Sequence, residues 1–553
     1  MLLSYFLYRR ACAAKKREQN EQISSLPAKY HAPLTSIDAG ILGRPVAEIV
    51  ADVQAGQLSP SDVLVAYGKK ALKAQAENHC LTEVMLNKAE LWAEGCNRQG
   101  PLAGMPVSLK DTLHVAGFDS TIGYAAWVGK RATADSPLVT LLRRAGAVPY
   151  VKTNIPITLM SFEAGSDIFG QTENAHKKGY SAGGSSGGEG SLLAYGGSRI
   201  GIGSDIAGSV RVPSHYSGTY TVKSSPTRFI RHNTADSLPG QEGVTAVTSP
   251  MARTLEDLEY FWKAIMSMKP WEYDHHVVEL PWRPVDLSEK KVKFGVMLTD
   301  GVVTPSPACK RALDTVVRTL QDNGYQVVTI NPPKPFEGCE IGAQLVGDSC
   351  AMAWSHVMTG ESNDPGMAQA KAMWNLPRWV KRLYGFYLRY IRGDDMYAQL
   401  VENWHPKTAQ EYFATVARRE AYRAKWFEFW QESGLDFILT VPNAMPAVPH
   451  GGMKDAFTNC IYTFLWNVLE YTAGVLPVTH VDRSLDALSP SFKAKNAIER
   501  GAYKHYDADK MHGLPIGVEI VGRRLEEEKV LEGMKLIEGL LRKEGKAYEL
   551  LST

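Results

Sequence analysis

The chain has few cysteines and no long hydrophobic run, and each absence excludes a class of protein. Its 553 residues contain seven cysteines, no two of which have C-x-x-C spacing. We therefore expect neither a disulfide framework nor a zinc ribbon, and the reduced thiols favour a cytosol-facing protein. No stretch of about 18 apolar residues occurs, so the sequence predicts no complete transmembrane helix.

An excess of charge of either sign is also absent. Lys and Arg number 61 and Asp and Glu 59, which leaves a net charge of +2. A global electrostatic attraction to nucleic acid is therefore not expected. Apolar residues make up 44% and charged residues 22%, proportions typical of a globular protein and unlike those of a disordered chain. No H-E-x-x-H motif occurs, and we interpret His275 and His276 as a surface pair, so the sequence predicts no metal.

Residues 1–35 are predicted to form an N-terminal extension, and residues 36–553 one large domain. The extension begins with a mostly apolar segment, Met1–Tyr8, which basic residues follow from Arg9 onwards. A secretory signal would place its basic residues before the apolar run, so this order argues against one. Two interpretations of the extension stay open, a dangling tail and a shallow membrane anchor.

Helical patterns alternate with short apolar segments along the rest of the chain, which predicts an α/β fold with a mixed or parallel sheet. The pattern predicts a helix at 138–144 and buried strands at 105–109, 148–151 and 437–441. No repeat of 20–50 residues and no Pro/Gly/Ser linker divides the globular part. One domain is therefore expected.

The most unusual segment runs from Gly183 to Ser209, and ten of its first 26 residues are glycine. A flexible linker is a poor interpretation, because Leu192, Leu193 and Ile200 in this segment favour burial. The phosphate-loop pattern GxxxxGK[ST] is absent, and Ser209 lacks the lipase G-x-S-x-G context. We interpret the segment as a compact loop system whose backbone N–H groups approach a ligand closely. A hydroxyl beside such groups would be a nucleophile next to its own oxyanion hole.

The general base that such a nucleophile needs is not a nearby histidine. Lys110 follows the apolar segment Met105–Leu109. Burial at the end of a strand would lower its pKa and make it a candidate base. The alternative is a lysine that only extends its amine into solvent.

Two stretches together resemble the amidase signature family. They are GGSSGGEG at 183–190 and GSDIAGSVR at 203–211. Lys110, within Ser-Leu-Lys-Asp, matches the catalytic lysine of that family. Lys110 precedes Ser185 by 75 residues, and Ser185 precedes Ser209 by 24 residues. Both separations are those expected of the family.

The resemblance implies a single large amidase-signature domain of the α/β class, with a mixed central β-sheet covered by helices. It also implies a Ser–cis-Ser–Lys triad. Ser209 would be the nucleophile, Ser185, preceded by a cis peptide bond, would relay the proton, and Lys110 would be the base. No cofactor is implied.

The residues around the triad are also implied by the resemblance. The oxyanion hole would consist of the N–H groups of Ile206, Ala207, Gly208 and Ser209. Three further residues, Ser186, Asp205 and Arg211, would hold the loop by hydrogen bonds. The usual pattern has Gly where this chain has Ala207, which brings a methyl group into a tight loop.

Outside these stretches, the chain resembles the membrane-associated fatty-acid amide hydrolases. The segments that carry this likeness are 153–172, 376–383, 467–479 and 513–518. The likeness implies serine-dependent hydrolysis of fatty-acid amides, such as N-acylethanolamines and primary fatty amides, through an acyl-enzyme at a membrane surface. It further implies an intracellular location on a cytosol-facing membrane, a lipid amide as substrate, no nucleic-acid partner, and a homodimer as a candidate assembly.

Residues 374–392, called the cap here, have the composition of a helix that lies in a membrane surface. The cap contains five basic residues and no acidic one. Wound as one helix, it would place Leu376, Val380, Leu383, Tyr387 and Ile391 on one face, as in interfacial helices. The predicted membrane contacts are Trp374, Trp379, Lys381, Arg382, Leu383 and Arg389. The alternative is a helix packed on the core with a solvated basic face.

Two other functions stay open at this point. One is a small-amide hydrolase of the acetamidase type, which would not need the cap. The other is a non-catalytic or transamidase-type subunit, against which the three intact triad positions argue.

Overall fold

A mixed eleven-stranded sheet forms the centre of the computed structural model, which describes residues 2–288, 291–347, 349–362 and 364–552. Its strands and those of a separate two-stranded hairpin are β1 Leu81–Val84, β2 Pro106–Lys110, β3 Val148–Thr153, β4 Gly165–Ser166, β5 Gly170–Gln171, β6 Ile200–Asp205, β7 Tyr220–Lys223, β8 Val247–Ala252, β9 Lys293–Val296, β10 Gln326–Thr329, β11 Phe437–Thr440, β12 Ala473–His480 and β13 Pro515–Val521. The large sheet has the order β1-β3-β2-β6-β8-β7-β12-β13-β11-β9-β10, and β4 pairs with β5.

Helices surround this sheet along the chain. They are α1 Leu2–Ser24, α2 Ala28–His31, α3 Ser36–Leu42, α4 Val46–Gln54, α5 Pro60–Asn78, α6 Leu86–Glu94, α7 Pro137–Arg144, α8 Gly187–Ala194, α9 Arg211–Ser217, α10 Leu255–Ser267, α11 Pro307–Asp322, α12 Pro335–Gly347, α13 Cys350–Ser355, α14 Pro365–Trp374, α15 Arg378–Phe386, α16 Asp395–Asn403, α17 Ala409–Ser433, α18 Met453–Ala456, α19 Ile461–Val468, α20 Ala497–Tyr503, α21 Ala508–Met511 and α22 Glu527–Lys543. A π-helix, Tyr387–Ile391, directly follows α15.

The sheet is mixed, as predicted. Strands β3, β2 and β6 run parallel to one another, as do β11, β9 and β10, and the pairs between these two groups are antiparallel. The strands predicted at 105–109, 148–151 and 437–441 are β2, β3 and β11, and the predicted helix is α7. Strands β2 and β3 are buried along their whole length, which explains why they read as continuous apolar runs.

The sheet topology decides where Lys110 lies. Strands β2 and β6 are parallel neighbours, with Ser108 opposite Gly201 and Leu109 opposite Ile202. Their carboxyl ends therefore meet at one edge of the sheet. This register places Lys110, the last residue of β2, beside Ser204 and Asp205 at the end of β6.

The prediction of one continuous helix across the cap is wrong. Helix α14 ends at Trp374, and α15 begins at Arg378. Pro377 precedes α15, and proline both lacks a backbone donor and disfavours helical geometry in the residue before it. Within the cap, one helical segment therefore runs from Arg378 through the π-helix to Ile391, and only the residues between Trp374 and Arg378 interrupt the predicted helix.

Three of the predicted membrane contacts, Trp374, Lys381 and Arg389, are instead bound to other groups of the protein. Trp374 is buried and packs edge to face against Trp354 and Trp404. The fully buried Lys381 donates hydrogen bonds to the carbonyl oxygens of Trp374 and Trp404. The predictions for Trp374 and Lys381 are wrong because both side chains are used inside the fold. Trp374 packs against other aromatic rings, and Lys381 donates to carbonyl groups near helix ends, which lack partners within their helices.

Arg389 is likewise committed within the protein. Its guanidinium lies 2.6 Å from Asp395 and 2.9 Å from Glu402, so it pairs with acidic residues of α16 and is not a free cation for lipid phosphate. Of the other predicted contacts, Trp379 and Leu383 are exposed by 65% and 63%, and Arg382 is exposed as well.

An exposed apolar stripe runs along the outside of the cap. Trp379, Leu383, Phe386 and Tyr390 are all more than half exposed. They recur every three or four residues and so lie on one face. The predicted face is exposed too, since Leu376, Leu383, Tyr387 and Ile391 are accessible by 39% or more and only Val380 is partly exposed.

The N-terminal segment is a docked helix, and the interpretation as a dangling tail is wrong. Lys15 of α1 is buried and lies 3.0 Å from Asp119, with Glu83 as its second partner. Gln19 donates to the carbonyl oxygens of Leu81 and Thr82 in β1. Helix α1 thus packs along the edge strand of the sheet, which covers unpaired backbone groups there.

The first turns of α1 remain exposed, with Leu2, Leu3 and Phe6 accessible by 64% or more. Among the residues that the structure describes, no helix is both long and apolar enough to cross a membrane.

Replacing Lys15 with Ala should loosen α1, because it leaves the buried carboxylates of Glu83 and Asp119 without their cation. We expect a loss of about 3 kcal/mol in the free energy of unfolding, as for other broken buried pairs, and faster proteolysis within residues 2–24. Urea unfolding and limited proteolysis measure both effects. Lys16→Ala, an exposed lysine on the same helix, is the matched control, and equal behaviour of the two variants would contradict the assignment.

Candidate active site

Lys110 and Ser185 form a direct contact in the protein interior. Lys110 Nζ lies 2.7 Å from Ser185 Oγ and 2.9 Å from Ser204 Oγ, and the lysine is fully buried. Burial lowers the pKa of Lys110 to about 7, against the opposing influence of Asp205 and Glu189. A lysine with such a pKa is neutral in a large fraction of molecules near pH 7, so its amine can accept a proton.

Ser185 follows a cis peptide bond, as predicted, since the bond between Gly184 and Ser185 is cis. Two glycines allow the backbone to turn here without a steric clash. Gly183 has a φ of +89°, and a Cβ on Gly184 would lie 2.2 Å from the carbonyl oxygen of Ser161. The chain then enters α8, so Ser185 projects from the beginning of that helix.

Ser209 lies on the loop between β6 and α9 and is almost fully buried. The N–H of Ser186 donates to the carbonyl oxygen of Ser209 at 3.1 Å, which joins the two glycine-rich stretches. Ser186 Oγ also lies 3.4 Å from the backbone N and O of Ser204. The structure therefore brings Lys110 and Ser185 into direct contact and holds the Ser209 backbone against Ser186, the residue after Ser185.

The loop before Ser209 is shaped by Asp205. Its carboxylate accepts hydrogen bonds from the N–H of Gly208 at 2.8 Å and of Val210 at 3.2 Å. Gly208 has a φ of +129°, and a Cβ there would meet Thr463 Oγ1 at 2.4 Å. The Gly208 N–H, predicted to belong to the oxyanion hole, donates to Asp205 in this structure. The N–H groups of Ile206, Ala207 and Ser209 remain as candidates.

Asp205 and Arg211, predicted to hold the loop, form a buried ion pair at 2.9 Å. The same guanidinium pairs with Glu519 of β13 at 2.9 Å and donates to the carbonyl oxygen of Thr463. Although burial opposes it, Arg211 holds the pKa of Asp205 far below its usual range. Asp205 is therefore ionised whenever the protein is folded.

Several residues around the site were not predicted from the sequence. Ser204 is the second hydrogen-bond partner of Lys110, and Thr463 donates to the carbonyl oxygen of Ala207 at 2.7 Å. Asn467 contacts both Asp205 and Arg211. A signal existed for Glu519, since a carboxylate within the apolar strand Pro515–Val521 needs a buried partner.

Glu189 is a further buried carboxylate beside the site. It accepts hydrogen bonds from Ser108 Oγ at 2.6 Å and Thr153 Oγ1 at 2.8 Å. Burial raises its pKa to about 8. Near pH 7 Glu189 is thus mostly neutral, which removes a negative charge that would otherwise favour protonated Lys110.

A cavity of about 890 Å³ lies beside the start of the cap. Its lining includes Met373 and Leu376 at the interruption of the cap. It also includes Cys460 and Phe464, the near neighbours of Thr463 in α19. Thr463, which precedes Phe464, hydrogen-bonds the Ala207 carbonyl, but no residue of the Ser209 loop is among those that line the cavity in the described part of the chain.

Comparisons with known proteins agree with this geometry. The family model described as Amidase matches residues 62–531. The acetamidase of Emericella nidulans is 32% identical over 550 residues, which cover 95% of each chain. Fatty-acid amide hydrolase 1 of Sus scrofa is 31% identical over 540 residues, covering 96% of this chain and 92% of the relative.

A solved structure of a fatty acid amide hydrolase superposes with a TM-score of 0.85 at 26% identity, covering 97% of this chain and 96% of that one. The similarity thus spans both the sheet and the elements around the candidate site. The chain belongs to the amidase signature family of amide hydrolases.

Proposed function

We propose that this protein hydrolyses fatty-acid amides with Ser209 as the nucleophile, and that it does so at a membrane surface. The observation that carries the choice of substrate is the cavity of about 890 Å³ beside the start of the cap. Pockets of ~300–1,000 Å³ bury most of a ligand much larger than acetamide. A long acyl chain would fill this space and exclude water from it, whereas an acetamide-sized substrate would leave most of it empty.

The proposed chemistry begins with proton transfer towards Lys110. The neutral amine takes the proton of Ser185, whose oxygen takes that of Ser209 as Ser209 attacks the amide carbonyl. The candidate N–H groups of Ile206, Ala207 and Ser209 would stabilise the oxyanion. The proton then returns through Ser185 to the leaving amine, and water cleaves the acyl-enzyme by the same route.

Membrane association is the second part of the proposal, and the exposed stripe of Trp379, Leu383, Phe386 and Tyr390 supports it. Monomeric proteins rarely expose contiguous apolar patches without a use for them, and aromatic residues favour the membrane interface. The exposed side chains of Leu2, Leu3 and Phe6 would add a second apolar contact. A substrate dissolved in lipid could then reach the cavity beside Leu376 without crossing water.

A small-amide hydrolase is the competing candidate, because the acetamidase of Emericella nidulans is as similar to this chain as fatty-acid amide hydrolase 1 is. An acyl-chain series from acetamide to oleamide separates the two. Fatty-acid specificity requires kcat/KM to rise with chain length, while the small-amide alternative requires it to fall.

Ser209→Ala should lower hydrolysis by more than about 10³-fold, as expected when a nucleophile acting as part of a catalytic unit is removed. It should also abolish covalent labelling by a fluorophosphonate, measured by mass spectrometry of the intact protein. Ser355→Ala, which changes an exposed serine, should label normally. Labelling of Ser209→Ala at the wild-type rate would refute the assignment of the nucleophile.

The pH dependence of kcat/KM should follow the ionisation of Lys110. Only the neutral amine accepts a proton, so activity should increase as the pH rises through about 7 and level off above it. Lys110→Ala should lose about 10²–10⁴-fold in activity and should lack this inflection, with a residual rate that rises with hydroxide. Steady-state kinetics from pH 5 to pH 10 measure the profile.

Lys70→Met is the matched control for this profile. Burial also lowers the pKa of Lys70, to about 8, but its amine lies over the ring of Tyr195. This variant should keep the wild-type inflection. If the inflection survives in Lys110→Ala, it belongs to another ionisable group and the assignment to Lys110 is wrong.

The double variant Leu383→Ser and Phe386→Ser tests the membrane contact. Each substitution removes an exposed apolar side chain worth about 1.5 kcal/mol or more when fully buried, so affinity for phosphatidylcholine vesicles should fall by more than about tenfold. Turnover of acetamide should stay unchanged, because these side chains touch water in the free protein. Vesicle sedimentation and kinetics measure the two effects.

A second double variant serves as its control. Leu91→Ser and Phe427→Ser remove a leucine and a phenylalanine exposed to nearly the same extent, 67% and 56%, outside the cap. Vesicle affinity of this variant should match the wild type. If both double variants bind vesicles equally well, the cap is not the membrane contact.

A further inference from the structure

Three histidines from two separate loops meet on the surface of the protein. His232 joins His275 and His276, and one ring nitrogen from each lies within 4.8 Å of those of the other two. The sequence showed only the adjacent pair, because His232 precedes it by more than 40 residues. We propose that this histidine cluster binds a transition-metal ion of the zinc class.

The donor set decides the class of metal. Three neutral imidazoles suit Zn²⁺, Cu²⁺ or Ni²⁺, whereas Mg²⁺ and Ca²⁺ prefer oxygen ligands. A zinc ion with Zn–N bonds of ~2.1 Å needs ligand nitrogens about 3.4 Å apart. His232 and His275 are exposed and His276 partly so, so modest ring rotations can close the gap. Solvent can then supply the fourth ligand.

Asp274 holds this cluster in place from below. It is buried, and its carboxylate accepts hydrogen bonds from the backbone N–H groups of Arg231, His232 and His276. One carboxylate thus fixes both loops relative to each other. Asp274 therefore holds the backbones of His232 and His276 close together, and rotation of the rings sets the final spacing.

The same carboxylate also orients one of the rings. His276 Nδ1 lies 2.9 Å from Asp274 Oδ1. A carboxylate that accepts from one imidazole nitrogen leaves the other nitrogen unprotonated and pointing away, which is the common arrangement of metal-binding histidines. His275 Nδ1 is further from this oxygen, at 3.8 Å, and is free to turn towards a metal.

The charges around the cluster do not oppose a cation. Asp274 contributes a negative charge directly beneath the rings, and the nearby Arg231 faces Glu242 at 3.5 Å. A bound ion would bridge two loops already linked by the hydrogen bond from the Val278 N–H to the Thr227 carbonyl. We therefore assign the site a structural role.

The loop that carries His232 also connects the proposed metal site to the interior of the protein. Thr234 forms a β-bridge with Leu113, and the Ala235 N–H donates to the carbonyl oxygen of Thr112 at 2.7 Å. These contacts lie two and three residues beyond Lys110. Metal binding should therefore raise the thermal stability of the folded protein, since any ligand that binds only the folded state stabilises it.

The test uses the purified full chain after treatment with a chelator. Isothermal titration with Zn²⁺ should show one ion per chain, and His232→Ala and His275→Ala should each weaken binding by at least about tenfold. The thermal midpoint of the wild type should rise with Zn²⁺ and not with Mg²⁺. Without metal, both variants should keep the wild-type midpoint, which shows that they fold.

His31→Ala, which removes an exposed histidine from α2, is the matched control and should bind Zn²⁺ like the wild type. Zinc affinity in His232→Ala or His275→Ala equal to that of the wild type would overturn the proposal. An equal zinc-dependent rise of the thermal midpoint in all variants would overturn it as well. Neither result depends on hydrolytic activity, so the outcome is separate from that of the proposed function.

Discussion

The buried ion pair between Asp205 and Arg211 is the interaction on which the site depends. Two charges removed from water need each other and further hydrogen bonds, or the cost of desolvation exceeds the attraction. The pair meets this need by recruiting Glu519 from β13 and Asn467 from α19. Because Asp205 also accepts from two N–H groups of the Ser209 loop, the conformation of that loop follows from the requirement to satisfy a buried charge.

The same electrostatics set the state of Lys110. Burial favours the neutral amine, while Asp205 and Glu189 favour the charged one. Asp205 is already paired with Arg211, and Glu189 is mostly neutral because burial raises its pKa to about 8. Desolvation therefore prevails, and a lysine becomes suited to accept a proton near pH 7. Because the surrounding carboxylates are paired or protonated, they raise the pKa of Lys110 little, and the amine stays available to accept a proton.

The charge pattern of the cap predicted membrane contacts that the structure in part assigns to other groups of the protein. Five basic residues without an acidic neighbour resemble the polar face of an interfacial helix, but Lys381 caps carbonyl groups in the interior and Arg389 pairs with α16. The segment exposes a row of apolar side chains together with Arg378, Arg382 and Arg392, so only part of its basic face is exposed. The cavity beside Leu376 lies next to this segment, a neighbourhood that composition alone could not indicate.

Local sequence patterns predicted the α/β class and strands β2, β3 and β11, because hydrophobic periodicity is a local property. The resemblance to the amidase signature family, also carried by local motifs, picked out Lys110, Ser185 and Ser209. Only the tertiary structure decided which residues surround them. Thr463, Asn467 and Glu519 come from elements more than 250 residues away, and His232 meets His275 across two loops. Such contacts arise from the order in which strands and helices pack, and no local pattern encodes that order.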